Sequence, residues 1–467
     1  MTASGTLLRE QRPSTPSLLR GVAPASSPER RRAIRWADAL ALLAGLGLGI
    51  TVALGIHAET LGSLQAPGGI ATALGRMTGL VGTYLMLLEI ALIARLPWLE
   101  RAVGQDRLVG WHRRLGPWPI SLLLVHGLLI TVGYAAVAST GLLREFWVLM
   151  TTFPNVLAAV VALGLLVMAG VTSYRRVRSR VSHETWWAIH LYTYLAAALG
   201  LAHQITAGAA FIHSPLARIW WMSMWAATAG LVLAYRVIRP FWRSMRHGLR
   251  VVEVRPESPG VVSVILRGRD LEALRVRGGQ FFQWRFLRPG MWWQAHPYSL
   301  SAMPQGPYLR LTVKALGDHS TDLARIPVGT RVAVEGPYGV LTRDVRSGDR
   351  VLLVGGGVGV TPLRALLEDL PPHTDVVVVL RASRHEDVVF HNEMRALVEA
   401  RGGQLHVLVG SRHKFRFDSA NLRRLVPDIT RRDIYLCGPS GMVDGVVAAA
   451  SAAGVPDERI HVESFTF

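Results

Sequence analysis

The sequence predicts a chain of two unlike halves. The first is a membrane-embedded, all-α bundle of six helices. The second is soluble and pairs an antiparallel β-barrel with an α/β, Rossmann-like nucleotide-binding domain. Three observations carry this. Six apolar runs between residues 36 and 240 approach or exceed the roughly 20 residues that a helix needs to cross a bilayer. From about residue 247 the pattern changes to short β-runs separated by Gly/Pro turns. Near residue 355 a strand runs into a glycine-rich turn that opens a helix, and strands and helices then alternate. The 467 residues accordingly divide into a basic tail (1–35), the six-helix region (36–240), the barrel (247–345) and the nucleotide domain (346–467).

The tail is polar, Pro/Ser-rich and ends in Arg30, Arg31, Arg32 and Arg35. It reads as a disordered cytosolic segment with no cleavable signal pattern. The spans run at approximately 36–57, 70–96, 112–138, 154–174, 185–212 and 218–238. Basic residues crowd alternate connections: Arg101, Arg107, Arg113 and Arg114 in one, and Arg175, Arg176, Arg178 and Arg180 in another. The opposite connections, 58–69, 139–153 and 206–217, contain only Arg144. Positive residues stay on the cytoplasmic side, so both termini are expected there, in a multi-pass protein of a bacterial-type plasma (inner) membrane. The formal net charge of +19 is then largely loop bias, and no nucleic-acid partner is expected. Cys437 is the only cysteine, which excludes a disulfide framework and a cysteine-based metal centre.

Spans three and five each carry two histidines: His112 and His126, then His190 and His203. At 1.5 Å per residue each pair covers about 20 Å along a helix axis. Both spans run outward, so depth pairs His112 with His190 near the inner face and His126 with His203 near the outer face. Four polar side chains at matched depths in an apolar bundle are costly without a task. Two stacked bis-histidine haems fit them. A 14-residue spacing returns to nearly one helical face and a 13-residue spacing does not, so span five is expected to contain a local irregularity or to approach its two haems from different angles. Arg113 and Arg114 suit haem propionates at the inner face, and Arg76 is placed near the outer ones. Trp118, Trp186, Trp187 and Phe211 are candidates for bridging the haems.

The β-runs of the soluble half fall at 250–255, 261–267, 280–286, 307–315 and 330–335. His296-Pro297-Tyr298-Ser299 ends one of them. A Tyr there can stack on a flavin, and a Ser hydroxyl can meet a ring nitrogen near the reacting centre. Lys314 and the loop Gly317–Thr321, with Ser320 and Thr321 at a helix start, suit the flavin's phosphates. Gly355, Gly356, Gly357 and Gly359 let backbone N–H groups approach a pyrophosphate, with Thr361 in the helix that follows. Arg381, Ser383 and Arg384 follow the second strand and suit a 2′-phosphate, hence NADPH over NADH.

Together these motifs resemble the NADPH oxidase and ferric reductase superfamily, in which a six-helix haem b domain is fused to a ferredoxin-reductase-like FAD/NADPH module. The resemblance covers about 36–467. It implies FAD, NADPH and two haem b groups as cofactors. Cys437, Gly438 and Pro439 match its nicotinamide motif. His461–Phe465 resembles its C-terminus, which puts Phe465 on the isoalloxazine ring with Phe467 as a rival. Ser299, Cys437 and Phe465 are thereby expected at the reacting centre. The implied activity passes electrons from cytosolic NADPH through FAD and two haems to an outer acceptor: O2, giving superoxide, or alternatively a ferric chelate.

Overall fold

The computed structural model describes residues 28–208, 211, 214–411 and 416–464. The N-terminal half is helical. Helix α1 (Pro28–His57) begins at Pro28, ahead of the first apolar run and inside the segment expected to be tail. It is followed by α2 (Gly69–Leu92), α3 (Gln105–Leu115), α4 (Pro117–Ala138), α5 (Val156–Ser173), α6 (His183–Ala207) and α7 (Pro215–Val232). A π-helical turn, Leu233–Ile238, joins α7 to α8 (Arg239–His247). Pro240 explains the turn: it donates no hydrogen bond, so the regular ladder cannot be kept ahead of it.

Among the described residues, five segments are long and apolar enough to cross a membrane: Asp38–His57, Gly69–Leu92, Arg107–Ala138, Val156–Ser173 and Pro215–His247. Their outward surfaces carry bare side chains such as Leu42, Leu46, Val137 and Ile219, each more than half exposed. In water such a surface would drive aggregation, and in lipid it is the natural exterior. The sixth expected span is present as α6 but falls outside this set. Its 25 residues suffice in length, and His190, His203, Gln204 and several Tyr and Trp lower its hydropathy.

The irregularity expected in span five lies elsewhere. Helix α6 runs unbroken, and it is span three that divides, at Gly116–Pro117. Pro117 cannot donate into the ladder, so α3 and α4 meet at a joint that resets the phase between His112 and His126. Helix α2 packs along α4, and α5 along α6. Three glycines of α2 permit the first contact. Cβ atoms there would reach Ile130 (3.0 Å from Gly75), His126 (2.7 Å from Gly79) and Leu122 (3.1 Å from Gly82).

The C-terminal half contains eleven strands among the described residues. β1 (Arg250–Ser258), β2 (Val261–Arg267) and β5 (Tyr308–Lys314) form one antiparallel sheet; β3 (Phe281–Phe286), β4 (His296–Ser299) and β6 (Val332–Tyr338) form a second. Isolated bridges tie them at both edges, Arg250 to Arg331 and Leu300 to Leu311. Alternation along β3 sends Phe282, Trp284 and Phe286 inward, where all three are fully buried. The remaining sheet is parallel, ordered β11 (Ile460–Ser464), β10 (Asp433–Gly438), β7 (Arg350–Gly356), β8 (Asp375–Ala382), β9 (Gln404–Val409). Its strands β7 and β8 are apolar apart from Arg350 and Asp375 at their starts and Arg381 near the end of β8, as expected of a sheet covered by helices on both faces.

The halves are joined by contacts as well as by chain. Ser244 Oγ accepts from Val334 N at 3.0 Å, and Arg236 lies 3.4 Å from Glu335. Arg95 sits over the ring of Tyr338 at 4.5 Å, and Trp187 of α6 packs on Trp293 at 6.2 Å.

Candidate functional site

Three clusters line up from the bundle to the parallel sheet. In the bundle the histidines meet as their depth requires. The rings of His112 and His190 lie 5.9 Å apart between centroids with planes at 89°. Those of His126 and His203 lie 6.5 Å apart at 59°. A ring nitrogen bound to a metal sits about 2 Å from it and about 1.2 Å from its own ring centre, so two imidazoles trans on one metal hold centroids about 6.4 Å apart. His126–His203 matches that separation at 6.5 Å, and His112–His190 at 5.9 Å falls about 0.5 Å short of it. Among the described residues no group of three or more His, Cys, Asp or Glu is gathered for a metal. A pair suffices only where the remaining ligands come with the group, as a porphyrin's four nitrogens do.

The other ring nitrogens fit the same role. Nδ1 of His126 lies 2.8 Å from the carbonyl oxygen of Gly75, and that contact turns Nε2 away from α2. Nδ1 of His112 lies 3.2 Å from Oε2 of Glu89. Nδ1 atoms of His112, His190 and His203 are all buried without hydrogen-bond partners. Trp186 stacks on His190 at 5.1 Å, and its indole N–H donates to Ser173.

Several expected neighbours lie elsewhere. Trp118 is 61% exposed and so is no bridge within the bundle. Phe211 stacks on Trp221 in the core, and Trp187 points to the soluble half. Arg76 pairs with Glu59 at 3.0 Å, while Arg113 and Arg114 are exposed close to His112.

The second cluster surrounds β4. Ser299 is buried, and its Oγ has no hydrogen-bond partner. The Tyr298 ring is parallel to that of His296 at 6.2 Å, and burial pushes its phenol above the ordinary range. Pro297 lies opposite Gln283 in the sheet. His319 stacks on His296 at 3.6 Å with both its ring nitrogens buried and unpartnered. Burial, with His296 alongside, holds its pKa down to about 4. Ser320 and Thr321 are engaged within their own loop: Ser320 Oγ accepts from the Gly317 N–H at 3.0 Å, and the Thr321 hydroxyl donates to the Gly317 carbonyl at 2.9 Å. Lys314 is exposed at the end of β5.

The third cluster lies where β7 and β10 run side by side and the strand order reverses, the crevice that binds ligands in open α/β sheets. Gly355 lies opposite Cys437 in the ladder. A cleft on the β8 side of β7 is lined by Gly355, Gly357, Val360, Arg381, Asp387 and Val388. Gly357 adopts φ +56° with open space beside it. A Cβ at Gly359 would run into the Cys437 carbonyl, so that loop closes on Gly438 and Pro439 only with glycine present. Gly356 packs on Met442 of the helix Ser440–Ala452, and Thr361 is buried in the helix Val360–Asp369.

Arg381 is occupied: its guanidinium donates to the carbonyls of Ala382, Leu408 and Ser411. Arg384 reaches solvent but is paired with Asp387 at 3.2 Å and with Glu386, and Ser383 is exposed beside it. Cys437 is fully buried, and burial, then the neighbouring Glu463, raises its thiol well above the usual range. Phe465 and Phe467 lie outside the described residues.

Glu89 is legible as a charge inside an apolar span, a functional suspect by default. Four other residues of these clusters escape sequence reasoning, and His319 among them carries no motif signal of its own. The spacing of Gly75, Gly79 and Gly82 does carry one, the small-residue face of a closely approached membrane helix.

Comparison with known proteins divides the chain in the same places. Residues 78–201 match the family described as "Ferric reductase like transmembrane component", 248–342 match "FAD-binding domain" and 353–448 match "Oxidoreductase NAD-binding domain". The chain is 28% identical over 243 residues to the glycine betaine monooxygenase reductase subunit of Chromohalobacter salexigens, covering 48% of this chain and 65% of that protein. It is 29% identical over 237 residues to an NADPH oxidoreductase of Mycobacterium tuberculosis, covering 48% and 62%. It is 28% identical over 214 residues to respiratory burst oxidase homolog protein F of Arabidopsis thaliana, covering 40% and 21%. The chain thus spans less than two thirds of the length of each of these relatives. A ferric-reductase-like transmembrane component followed by FAD- and NAD-binding domains makes this chain an oxidoreductase with the architecture of the NADPH oxidase and ferric reductase superfamily.

Proposed function

We propose that the chain carries electrons across the bilayer, from cytosolic NADPH through FAD and two haem b groups to an acceptor at the opposite face, most readily O2 with release of superoxide. One observation carries this above the others. Two histidine pairs stand at metal-sharing separations, one above the other, on a chain whose second half is an FAD- and NAD-binding module.

In this proposal 36–240 is a six-helix haem bundle, with α6 crossing the membrane alongside the five more apolar segments. His112 and His190 hold the haem nearer the flavin, and His126 and His203 the farther one. The two antiparallel sheets, closed at their bridged edges, form the flavin barrel of 247–345, and 346–467 binds the nucleotide. The basic connections place both termini in the cytoplasm of a bacterial-type inner membrane.

Bound flavin accepts a hydride and passes its electrons on singly, and haem iron carries one electron at a time. The protein's own residues do the rest. Gly355, Gly356, Gly357 and Gly359, with Cys437–Pro439 packed against them, form the strand ends over which the dinucleotide would lie. Arg384 offers a cation for a 2′-phosphate once it is drawn from Asp387. The buried Ser299 hydroxyl has a free donor for a flavin ring atom, and Tyr298 and Phe465 provide rings to flank that flavin. His126 and His203 would hold a haem between them, and with both imidazoles as ligands that haem would supply electron transfer without an open site for the acceptor.

A ferric chelate is the second acceptor to weigh, because residues 78–201 match a component described as ferric-reductase-like. Superoxide yield per NADPH, measured with and without a ferric chelate, separates the two. A yield of about two from oxygen alone supports the oxidase, since each hydride carries two electrons. Slow oxygen use with fast chelate reduction supports the reductase, and NADPH turnover by protein with no b-type haem spectrum would refute both.

A further inference from the structure

We infer that Glu89 sets the potential of the flavin-side haem below that of its partner, through a carboxylate set beside the outward ring nitrogen of His112. This rests on the histidine pairs being haem ligands, as proposed above.

The two sites are built alike except on one side. In the far pair, Nδ1 of His126 meets a neutral acceptor, the Gly75 carbonyl oxygen, at 2.8 Å. In the near pair, Nδ1 of His112 meets a carboxylate, Oε2 of Glu89, at 3.2 Å. That contact is at ion-pair distance, and His112 Nδ1 has no hydrogen-bond partner of its own. Which pair is nearer the flavin follows from α6: Trp187, three residues before His190, packs on Trp293 of the soluble half.

Glu89 has no evident structural employment. It lies within α2 and is 7% exposed. Its Oε1 is buried without a partner, and no Lys or Arg is paired with it among the described residues. A buried acid without a cation costs several kcal/mol in an apolar bundle, roughly, and calls for a task. The carboxylate fits beneath the joint at Gly116, where an added Cβ would stand 3.5 Å from Oε2. The helix break that brings His112 to its partner therefore also makes the space that Glu89 uses.

The electronic consequence has one sign. A carboxylate acceptor draws the Nδ1 proton outward and makes the imidazole a stronger donor through Nε2. Its charge, in a poorly screened interior, favours the ferric over the ferrous state by simple Coulomb attraction. Both effects lower the potential of the near haem, and the Gly75 carbonyl exerts neither to the same degree. Electrons entering at the flavin side then move downhill to the far site.

The test is a spectroelectrochemical titration of the purified full-length holoprotein, read at the haem bands. Wild type should show two waves. Glu89→Gln keeps an acceptor and removes the charge, so it should bind two haems and raise the lower wave at least tenfold in equilibrium constant, 59 mV for one electron, with the upper wave unmoved. Two haems with both waves in place, or both shifted equally, would overturn the inference. Should the Gln variant lose haem, His126→Ala decides instead: it should retain only the lower wave, and retention of the upper one refutes the assignment. Wild-type protein without two b-type haems would sink the haem proposal itself, a failure distinct from unmoved potentials.

Discussion

Gly79→Ala is the sharpest perturbation of the proposed far site, because it adds one methyl group and replaces neither ligand. A Cβ at position 79 would stand 2.7 Å from Nδ1 of His126, while ordinary contact begins at 3.4 Å. The imidazole must therefore retreat by about 0.7 Å, or α2 and α4 must part by as much. The ring is also held by the Gly75 carbonyl at 2.8 Å, and a retreat of that size takes the contact to the limit of a hydrogen bond. Loss of such an outer partner typically costs 10–100-fold in metal affinity. Haem content should thus fall at one site only, from about two per chain towards about one, with affinity there reduced by roughly that factor. The assay is pyridine haemochrome quantitation against protein across a haem titration, with NADPH-driven flavin reduction as a control. A Gly79→Ala variant that binds two haems at wild-type affinity would refute the geometry on which the far pair rests. Loss of both haems together would show that helix packing, and not the ring contact, had failed.

Further expectations concern the other clusters. Replacing His126 or His203 by Ala should remove one haem and abolish reduction of the outer acceptor while leaving flavin reduction by NADPH intact, as followed by stopped-flow bleaching of the flavin. Arg384→Ala should raise KM for NADPH by roughly 10-fold or more, the worth of one charged hydrogen bond, with KM for NADH unchanged. Asp387→Asn, which frees that guanidinium, should lower KM for NADPH, and a fall in kcat alone would count against both assignments. Glu100, in the short helix Pro97–Val103 between spans, is pushed up to about 7 by burial, opposed by Arg95. Its pKa is higher folded than unfolded, so the folded state holds the proton longer and stability falls as pH rises from about 4.5 to 7, by roughly 3 kcal/mol at most. Glu100→Gln should flatten that decline in apparent Tm measured in detergent, and an unchanged pH profile would contradict the assignment.

The division into halves was legible in the sequence because both signals are local. A run of apolar residues and a Gly/Pro-punctuated β-run each announce their environment without reference to distant parts of the chain. Charge asymmetry between connections went further and paired the histidines by depth, and the rings of those same pairs lie 5.9 and 6.5 Å apart. The nucleotide motifs were legible for a related reason: a glycine turn between a strand and a helix encodes its own geometry, and Gly357 and Gly359 occupy the positive-φ and close-approach positions in it.

Partners across the fold were not legible. Arg381 looked like a phosphate ligand until its guanidinium was found closing the ends of two strands on the carbonyls of Leu408 and Ser411. Arg76 looked like a propionate contact and is paired with Glu59 across a loop. Ser320 and Thr321 looked free and are bound within their own turn. In each case chemistry alone leaves several partners open, and only packing selects among them. The irregularity expected on the 13-residue helix appeared on its neighbour, because two helices need only agree in relative phase and the proline was in α4.

By itself, then, the sequence determined which residues could serve: two apolar helices with two histidines each, a flavin-type β motif, and a glycine crevice with Cys437 beside it. Those follow from composition and spacing, which are properties of short stretches. Only the tertiary structure decided what stands behind them: a peptide carbonyl behind His126, a buried carboxylate behind His112, and a second histidine stacked on His296. Such contacts join residues far apart in the chain, and their energies depend on distance and burial, which no local pattern records.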